Sequence, residues 1–183
     1  MQQKIQLRKK YSVIRKKNYY EIDKNFFLPL LKLIHLKFKK KKINLALYYP
    51  ANFELNVLKI LQFKYILAQN ILLPKIDKNL IMNFFPWKKN NVLFVNEFGM
   101  LEPSNTRSKI PNVMLVPILA FDKNKNRLGY GKGFYDHYLN KYLKQFKDIL
   151  TVGVAFSFQK YHKLPTNHND VKLDYIITEK GIY

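Results

Sequence analysis

The chain has 183 residues, enough for one domain that buries about 70% of the surface its unfolded form exposes. Hydrophobic residues at 48% and aromatic residues at 15% exclude an intrinsically disordered chain, even though 33 basic against 12 acidic residues leave a net charge of +21. The absence of cysteine excludes disulfides, thiolate nucleophiles and cysteine-based zinc sites, and no apolar run approaches the roughly 18 residues that span a bilayer.

In chain order, Met1 to Lys10 is too polar for a signal peptide, and a soluble, cytoplasmic protein is expected. Gln3 to Lys17 reads as a helix with Leu7, Tyr11 and Ile14 on its inner face. Lys4 and Arg8 stand one turn apart. Like charges at that spacing cost an isolated helix about 0.2–0.5 kcal/mol and become useful when an anion lies between them, although a solvated basic face reads the same way. Asn25 to Phe38 is a second helix, with Phe26, Leu30, Leu33 and Ile34 buried and Pro29 tolerated near its start. The basic run Lys37 to Lys42 reads as a solvated loop, being short and without stacking aromatics. Ile43 to Tyr49 is a buried strand ended by Pro50, and Asn52-Phe53-Glu54 opens a crossover helix reaching about Gln69, with Glu54 near its positive end. Ile71 to Ile76 reads as a second parallel strand and Met82 to Trp87 as another extended segment. Its Phe84, Phe85 and Trp87 suit the core better than an aromatic wall for a flat ring. Gly99 to Pro103 is a turn leading into a loop over 104–111.

Val113 to Leu119 is a further buried strand, followed by a polar turn at Asp122 to Asn126 and by three glycines at alternate positions, Gly129, Gly131 and Gly133. A helix from Phe134 to Phe146 follows. Glycines so spaced expose backbone N–H groups, the helix start adds its positive end, and Lys132 between them offers an ammonium, which together favour a phosphate. Asp136, in the first turn, suits a divalent cation. The order G-x-x-x-x-G-K-[ST] of a P-loop is absent. On spacing alone the string fits equally a tight strand-to-helix connection in which Asp136 serves only the helix dipole. Thr151 to Phe156 is a strand in which Gly153 permits close approach, Ser157 to Asp170 a loop, and Leu173 to Thr178 the strand that closes the sheet. His35, His137, His162 and His168 show no metal-site spacing, and no G-x-S-x-G elbow is present. Strands alternating with helices indicate a single α/β domain over residues 1–183, a mostly parallel sheet with helices on both faces in a Rossmann-like three-layer sandwich. The ligand belongs at the carboxyl edge of its strands.

Asp122, Arg127-Leu128-Gly129, Gly131-Lys132-Gly133, Tyr135-Asp136 and Leu139 together closely resemble the signature of the 5-formyltetrahydrofolate cyclo-ligase family, also called methenyltetrahydrofolate synthetase. The resemblance extends to Lys4 and Arg8, to Glu54 after the first strand, to Gly99-Met100-Leu101-Glu102-Pro103 and to Asp170-Val171-Lys172-Leu173-Asp174. It implies ATP- and Mg2+-dependent conversion of 5-formyltetrahydrofolate to 5,10-methenyltetrahydrofolate with release of ADP and phosphate. It also implies ATP held by Lys4, Arg8, Arg127, Leu128, Gly129, Tyr130, Gly131, Lys132, Gly133, Phe134 and Tyr135. The folate would be held by Glu54, Tyr130, Gly131, Lys132, Gly133 and Phe134, with Lys132 catalytic and Asp136 and Asp174 as magnesium ligands. The partner implied is the small-molecule folate, with no specific nucleic acid and no membrane, and the protein is expected as a monomer. The rival readings are a basic nucleic-acid-binding protein, motivated by the +21 charge, and a nucleotide-binding relative that has lost catalysis.

Overall fold

Every residue of Val113–Pro117 is buried, and successive side chains enter two different cores: Val113 and Leu115 one, Met114 and Val116 the other. A strand with apolar residues on both faces belongs in the middle of a covered sheet. The computed structural model, which describes residues 2–39, 41–104, 106–146 and 148–183, builds the sheet around it. Of the basic run and the loop expected above, Lys40 and Asn105 lie outside the described residues, as do Met1 and Lys147.

The elements run α1 Gln2–Asn18, α2 Leu28–Phe38, β1 Asn44–Ala46, α3 Lys64–Leu67, β2 Asn70–Ile76, β3 Met82–Pro86, β4 Leu93–Val95, β5 Leu101–Pro103, β6 Val113–Pro117, β7 Ala120–Phe121, β8 Arg127–Leu128, α4 Phe134–Tyr142, β9 Leu150–Val154, β10 Tyr175–Thr178 and β11 Gly181–Ile182. The main sheet has the order β11-β10-β9-β6-β1-β2-β3. Its five inner strands are parallel, and β3 and β11 close its two edges antiparallel. β4 pairs with β5, and β7 with β8, in two separate antiparallel ribbons.

One face is covered by α2 through Leu30, Ile34 and Phe38, packed with Leu45, Leu115 and Val152. The other is covered by α4 through Tyr138 and Leu139, packed with Phe84, Met114 and Ile176. The α/β, mostly parallel architecture with helices on both faces is therefore present as expected. α1 has a small core of its own, Leu7 and Tyr11 against Leu119, Ala120, Leu128 and Leu164, which lays the helix across the β7–β8 ribbon. In β9, Gly153 is required by packing: a Cβ there would lie 2.3 Å from Ile118 Cδ1 and 2.9 Å from Leu173 Cδ1.

Two local expectations give way. The crossover after β1 is not one helix from Asn52 to Gln69. Asn52 and Phe53 take left-handed backbone (φ 49° and 63°), a 3₁₀ helix covers Val57–Gln62, and extended Phe63 separates it from α3. The Asn56 side chain, bonded to Leu58 N, starts the 3₁₀ helix late and leaves Glu54 in a turn. Leu173 to Thr178 does not close the sheet, because β11 pairs beyond it. Phe84 and Trp87 are core residues as expected, buried on opposite faces of the sheet.

Candidate functional site

β6 ends at the carboxyl edge of the sheet. The chain then makes the β7–β8 ribbon and reaches the glycine bend, where α4 begins. Asp122 fixes the ribbon: its Oδ1 accepts from Asn124 N and Asn126 N at 2.9 and 3.1 Å, and its Oδ2 from Leu164 N at 3.0 Å. Gly131 and Gly133 have positive φ (105° and 75°), a conformation that favours glycine. Gly129 does not, but a Cβ there would meet Arg127 Nη1 at 3.0 Å. Gly133 caps α4 without any side-chain hydrogen bond, so the positive end of the helix is left to whatever lies beside the bend.

Cations converge on that bend from the far end of the chain. Arg8 Nε donates to Gly129 O at 2.9 Å, and its guanidinium carbon lies 3.1 Å from where a side chain on Gly131 would start. A side chain there would have to push it aside by a few tenths of an ångström. Lys4, one turn earlier on α1, pairs with Asp170. Lys132 Nζ stands 5.7 Å over the Phe98 ring and has no polar partner among the described residues. It lines a cavity of about 650 Å³ with Phe98, Phe134, His137 and Tyr138. Arg127 Nη2 lies 2.7 Å from Asp136 Oδ1, which also accepts from Val171 N at 3.1 Å. Val171 follows Asp170, so the segment that brings Asp170 to Lys4 also meets Asp136.

On the other side of the bend, Tyr130 Oη donates to Glu54 Oε1 at 2.6 Å, and Glu54 Oε2 accepts from Ala51 N at 2.9 Å. Tyr130 is 43% exposed as a residue, and its hydroxyl is held between Glu54 and Arg15. Burial pushes the Glu54 carboxyl above its usual value; the bonds from Tyr130 and Ala51 and the charge of Arg15 pull it back without cancelling the rise. Burial, reinforced by the Glu54 charge, pushes the Tyr130 hydroxyl far up, so it stays a donor. Tyr135, beside the same pair, has its hydroxyl pushed far up by burial, and that hydroxyl has no hydrogen-bond partner among the described residues.

The bend, its cations and the buried glutamate occur within a chain whose residues 1–179 match the model of the 5-formyltetrahydrofolate cyclo-ligase family. The chain belongs to that family. The 5-formyltetrahydrofolate cyclo-ligase of Haemophilus influenzae is 33% identical over 145 residues, covering 71% of this chain and 72% of the relative. The solved structure of a 5,10-methenyltetrahydrofolate synthetase from Mycoplasma pneumoniae superposes with a TM-score of 0.68 at 28% identity, over 95% of this chain and 97% of that one. The Aquifex aeolicus 5,10-methenyltetrahydrofolate synthetase gives 0.74 at 31% identity, over 98% and 91%. The family and these relatives make the protein a ligase of folate one-carbon metabolism and support 5-formyltetrahydrofolate cyclo-ligase activity. No helix among the described residues is long and apolar enough to cross a membrane.

Among the residues that the cyclo-ligase signature singles out, the structure gathers Arg8, Arg127, Gly129, Tyr130, Gly131, Lys132, Gly133, Phe134, Tyr135 and Asp136 along one bend, with Lys4 and Glu54 at its flanks. Leu128 is in the core beneath α1 and offers only backbone. Asp174 does not join them. It stands at the opposite, amino edge of the sheet, where its Oδ2 accepts from Thr151 N and Oγ1 at 2.8 and 2.9 Å, and it lines a separate recess with Leu33 and Leu36 of α2. The register of β10 beside β9 holds it there, and Asp170, four residues earlier, is the acid that reaches the site. Arg15 was also unforeseen: it is 2% exposed at the base of the site.

Proposed function

We propose that the protein converts 5-formyltetrahydrofolate to 5,10-methenyltetrahydrofolate at the expense of ATP, with magnesium, releasing ADP and phosphate. The observation that carries this reading is the pair of cations on the glycine bend, Arg8 against Gly131 and Lys132 without a polar partner among the described residues, over backbone amides at an uncapped helix start. Fixed positive charge over open N–H groups suits a triphosphate.

An N-formyl amide is a poor electrophile. Transfer of the terminal phosphoryl group to the formyl oxygen makes the formyl carbon open to attack by N10. The new C–N bond forms as the C–O bond to phosphate breaks, with the N10 proton lost to solvent. Lys132 and the N–H groups of Gly131 and Gly133 would take up the charge that gathers on the moving phosphoryl group, while Lys4, Arg8 and Arg127 hold the rest of the nucleotide. Glu54 and Tyr130 would fix the folate on their side of the bend.

No group of three or more acidic or histidine side chains among the described residues could hold a metal by itself. Asp136 and Asp170 each stand beside the bend against a cation. That set fits magnesium bound through one or two carboxylates and the phosphates of its nucleotide. Bound there, the ion would offset phosphate charge and orient the triphosphate.

The test is turnover by purified protein supplied with ATP, magnesium and 5-formyltetrahydrofolate, followed by the near-ultraviolet absorbance of the methenyl product. Lys132→Ala is expected to lower kcat by about 10²–10³, the usual cost of one aligned donor to developing charge. Full activity of that variant, with tight nucleic-acid binding at physiological salt, would overturn the enzyme reading.

A further inference from the structure

Arg15 lies outside every motif that marks the family, yet it is among the most completely buried side chains of the protein. It extends the inner stripe of α1 past Leu7 and Tyr11 and enters where three loops meet at the carboxyl edge of the sheet. Its Nη2 donates to Asn52 O at 2.8 Å and to Tyr130 Oη at 2.6 Å, and its Nη1 donates to Ile118 O at 3.3 Å. These acceptors come from the turn after β1, from the glycine bend and from the end of β6.

A buried guanidinium normally has a carboxylate against it. Among the described residues Arg15 has none in direct contact, and its Nε has no partner. The negative charge it reaches is Glu54, through one hydroxyl. Because the guanidinium can only donate, the single Tyr130 proton must point away from it, toward Glu54 Oε1 at 2.6 Å. The chain Arg15 to Tyr130 to Glu54 therefore has one direction. The same guanidinium grips the carbonyl of Asn52, the first of two consecutive left-handed residues that swing Glu54 inward. Backbone of that kind persists only where its surroundings over-determine it.

We propose that Arg15 is a positioning residue for folate: it clamps the left-handed Asn52-Phe53 turn and, through the Tyr130 hydroxyl, sets the orientation of the Glu54 carboxylate toward the substrate. This rests on the reading of Glu54 as a folate contact. It leaves the nucleotide to Lys4, Arg8 and Lys132, which Arg15 does not touch.

The experiment is a cycle of Arg15→Met, Tyr130→Phe and the double variant, each checked by thermal melting, with steady-state KM measured for folate and for ATP and direct folate binding by calorimetry. Arg15→Met should raise folate KM and Kd at least about tenfold, the size of one charge-assisted hydrogen bond, with ATP KM changed less than about twofold. Tyr130→Phe should lose a similar factor, the double variant no more than the worse single, and Arg15→Lys should recover part of the loss. The proposal is overturned if folded Arg15→Met keeps wild-type folate affinity, if both substrates weaken together, or if the two single losses multiply in the double. Should Arg15→Met not fold, the cycle run with Arg15→Lys decides by the same multiplication test. Wild-type protein that neither binds nor turns over the folate would instead defeat the function proposed above.

Discussion

Asp136 carries a structural load that can be read on the ligand-free protein, apart from any part in catalysis. Its Oδ1 lies 2.7 Å from Arg127 Nη2, and the two side chains are 19% and 5% exposed. At that separation the gross attraction is about 6 kcal/mol for an effective dielectric of about 20, and desolvation of both groups takes back much of it. Removing the carboxylate alone leaves an almost enclosed guanidinium whose Nε and Nη2 have no hydrogen-bond partner among the described residues, and also frees Val171 N. Asp136→Ala should therefore destabilise by about 3 kcal/mol, the low end for a broken buried pair because part of Asp136 remains in water. In a chain of this length that is a fall in Tm of roughly 6–12 °C. Replacing both charges, Arg127→Met with Asp136→Leu, should regain at least about half the loss, since no buried charge is then left alone. Circular dichroism melts of the ligand-free wild type, single and double variants read both effects. A single variant within about 2 °C of wild type, or a double variant no better than the single, would refute the account of this pair.

Glu54 and Asp122 carry opposite pH signatures. Burial raises the Glu54 carboxyl, so the stability linked to it is complete below its unfolded pKa and is lost as pH rises through the folded value. Glu54→Gln should consequently melt higher than wild type near pH 8, lose that advantage near pH 4, and fail to turn over folate; a lower Tm at the higher pH would contradict the sign. For Asp122, burial alone would push the carboxyl up, but bonds from the Asn126 side chain and from Leu164, Asn126 and Asn124 N–H groups outweigh it and hold the group below its usual value. Its contribution is thus present above the unfolded pKa and lost as pH falls through the folded one. Asp122→Ala strands three backbone amides and the Asn126 side chain and should cost about 3–4 kcal/mol at neutral pH by urea denaturation, with a much flatter acid limb; an unchanged acid limb would show that the group does not titrate as described.

The large elements were legible because their periods are unambiguous. Val113–Pro117 is apolar on both faces and could only be a central strand, and Leu7, Tyr11 and Ile14 could only be the inner face of a helix. Where the fold departs from that reading, the deciding term is local and polar. The crossover after β1 has helix-compatible spacing, but the left-handed pair Asn52 and Phe53 and the Asn56 side chain break it, and no periodicity encodes such a turn. Ribbons such as β7–β8, two residues to a strand, are too short to show any alternation.

The site was legible to the extent that chemistry is written in residue type. Three glycines, an embedded lysine and a helix start announce an anion, and the i, i+4 pair Lys4 and Arg8 does reach the bend or the segment beside it. The second acid was not, because Asp170 and Asp174 differ only in position along an irregular segment. The choice between them is made by β10, whose pairing beside β9 puts Asp174 on Thr151 and leaves Asp170 free to face α1. Arg15 was hidden for a different reason: in a helix this basic, one more arginine reads as solvated. Its position gave it away, since 7, 11 and 15 lie on one stripe, and Leu7 and Tyr11 are 6% and 4% exposed. A cation on the buried stripe of an otherwise solvated basic helix must find acceptors inside, and here it finds them at the turn that carries Glu54.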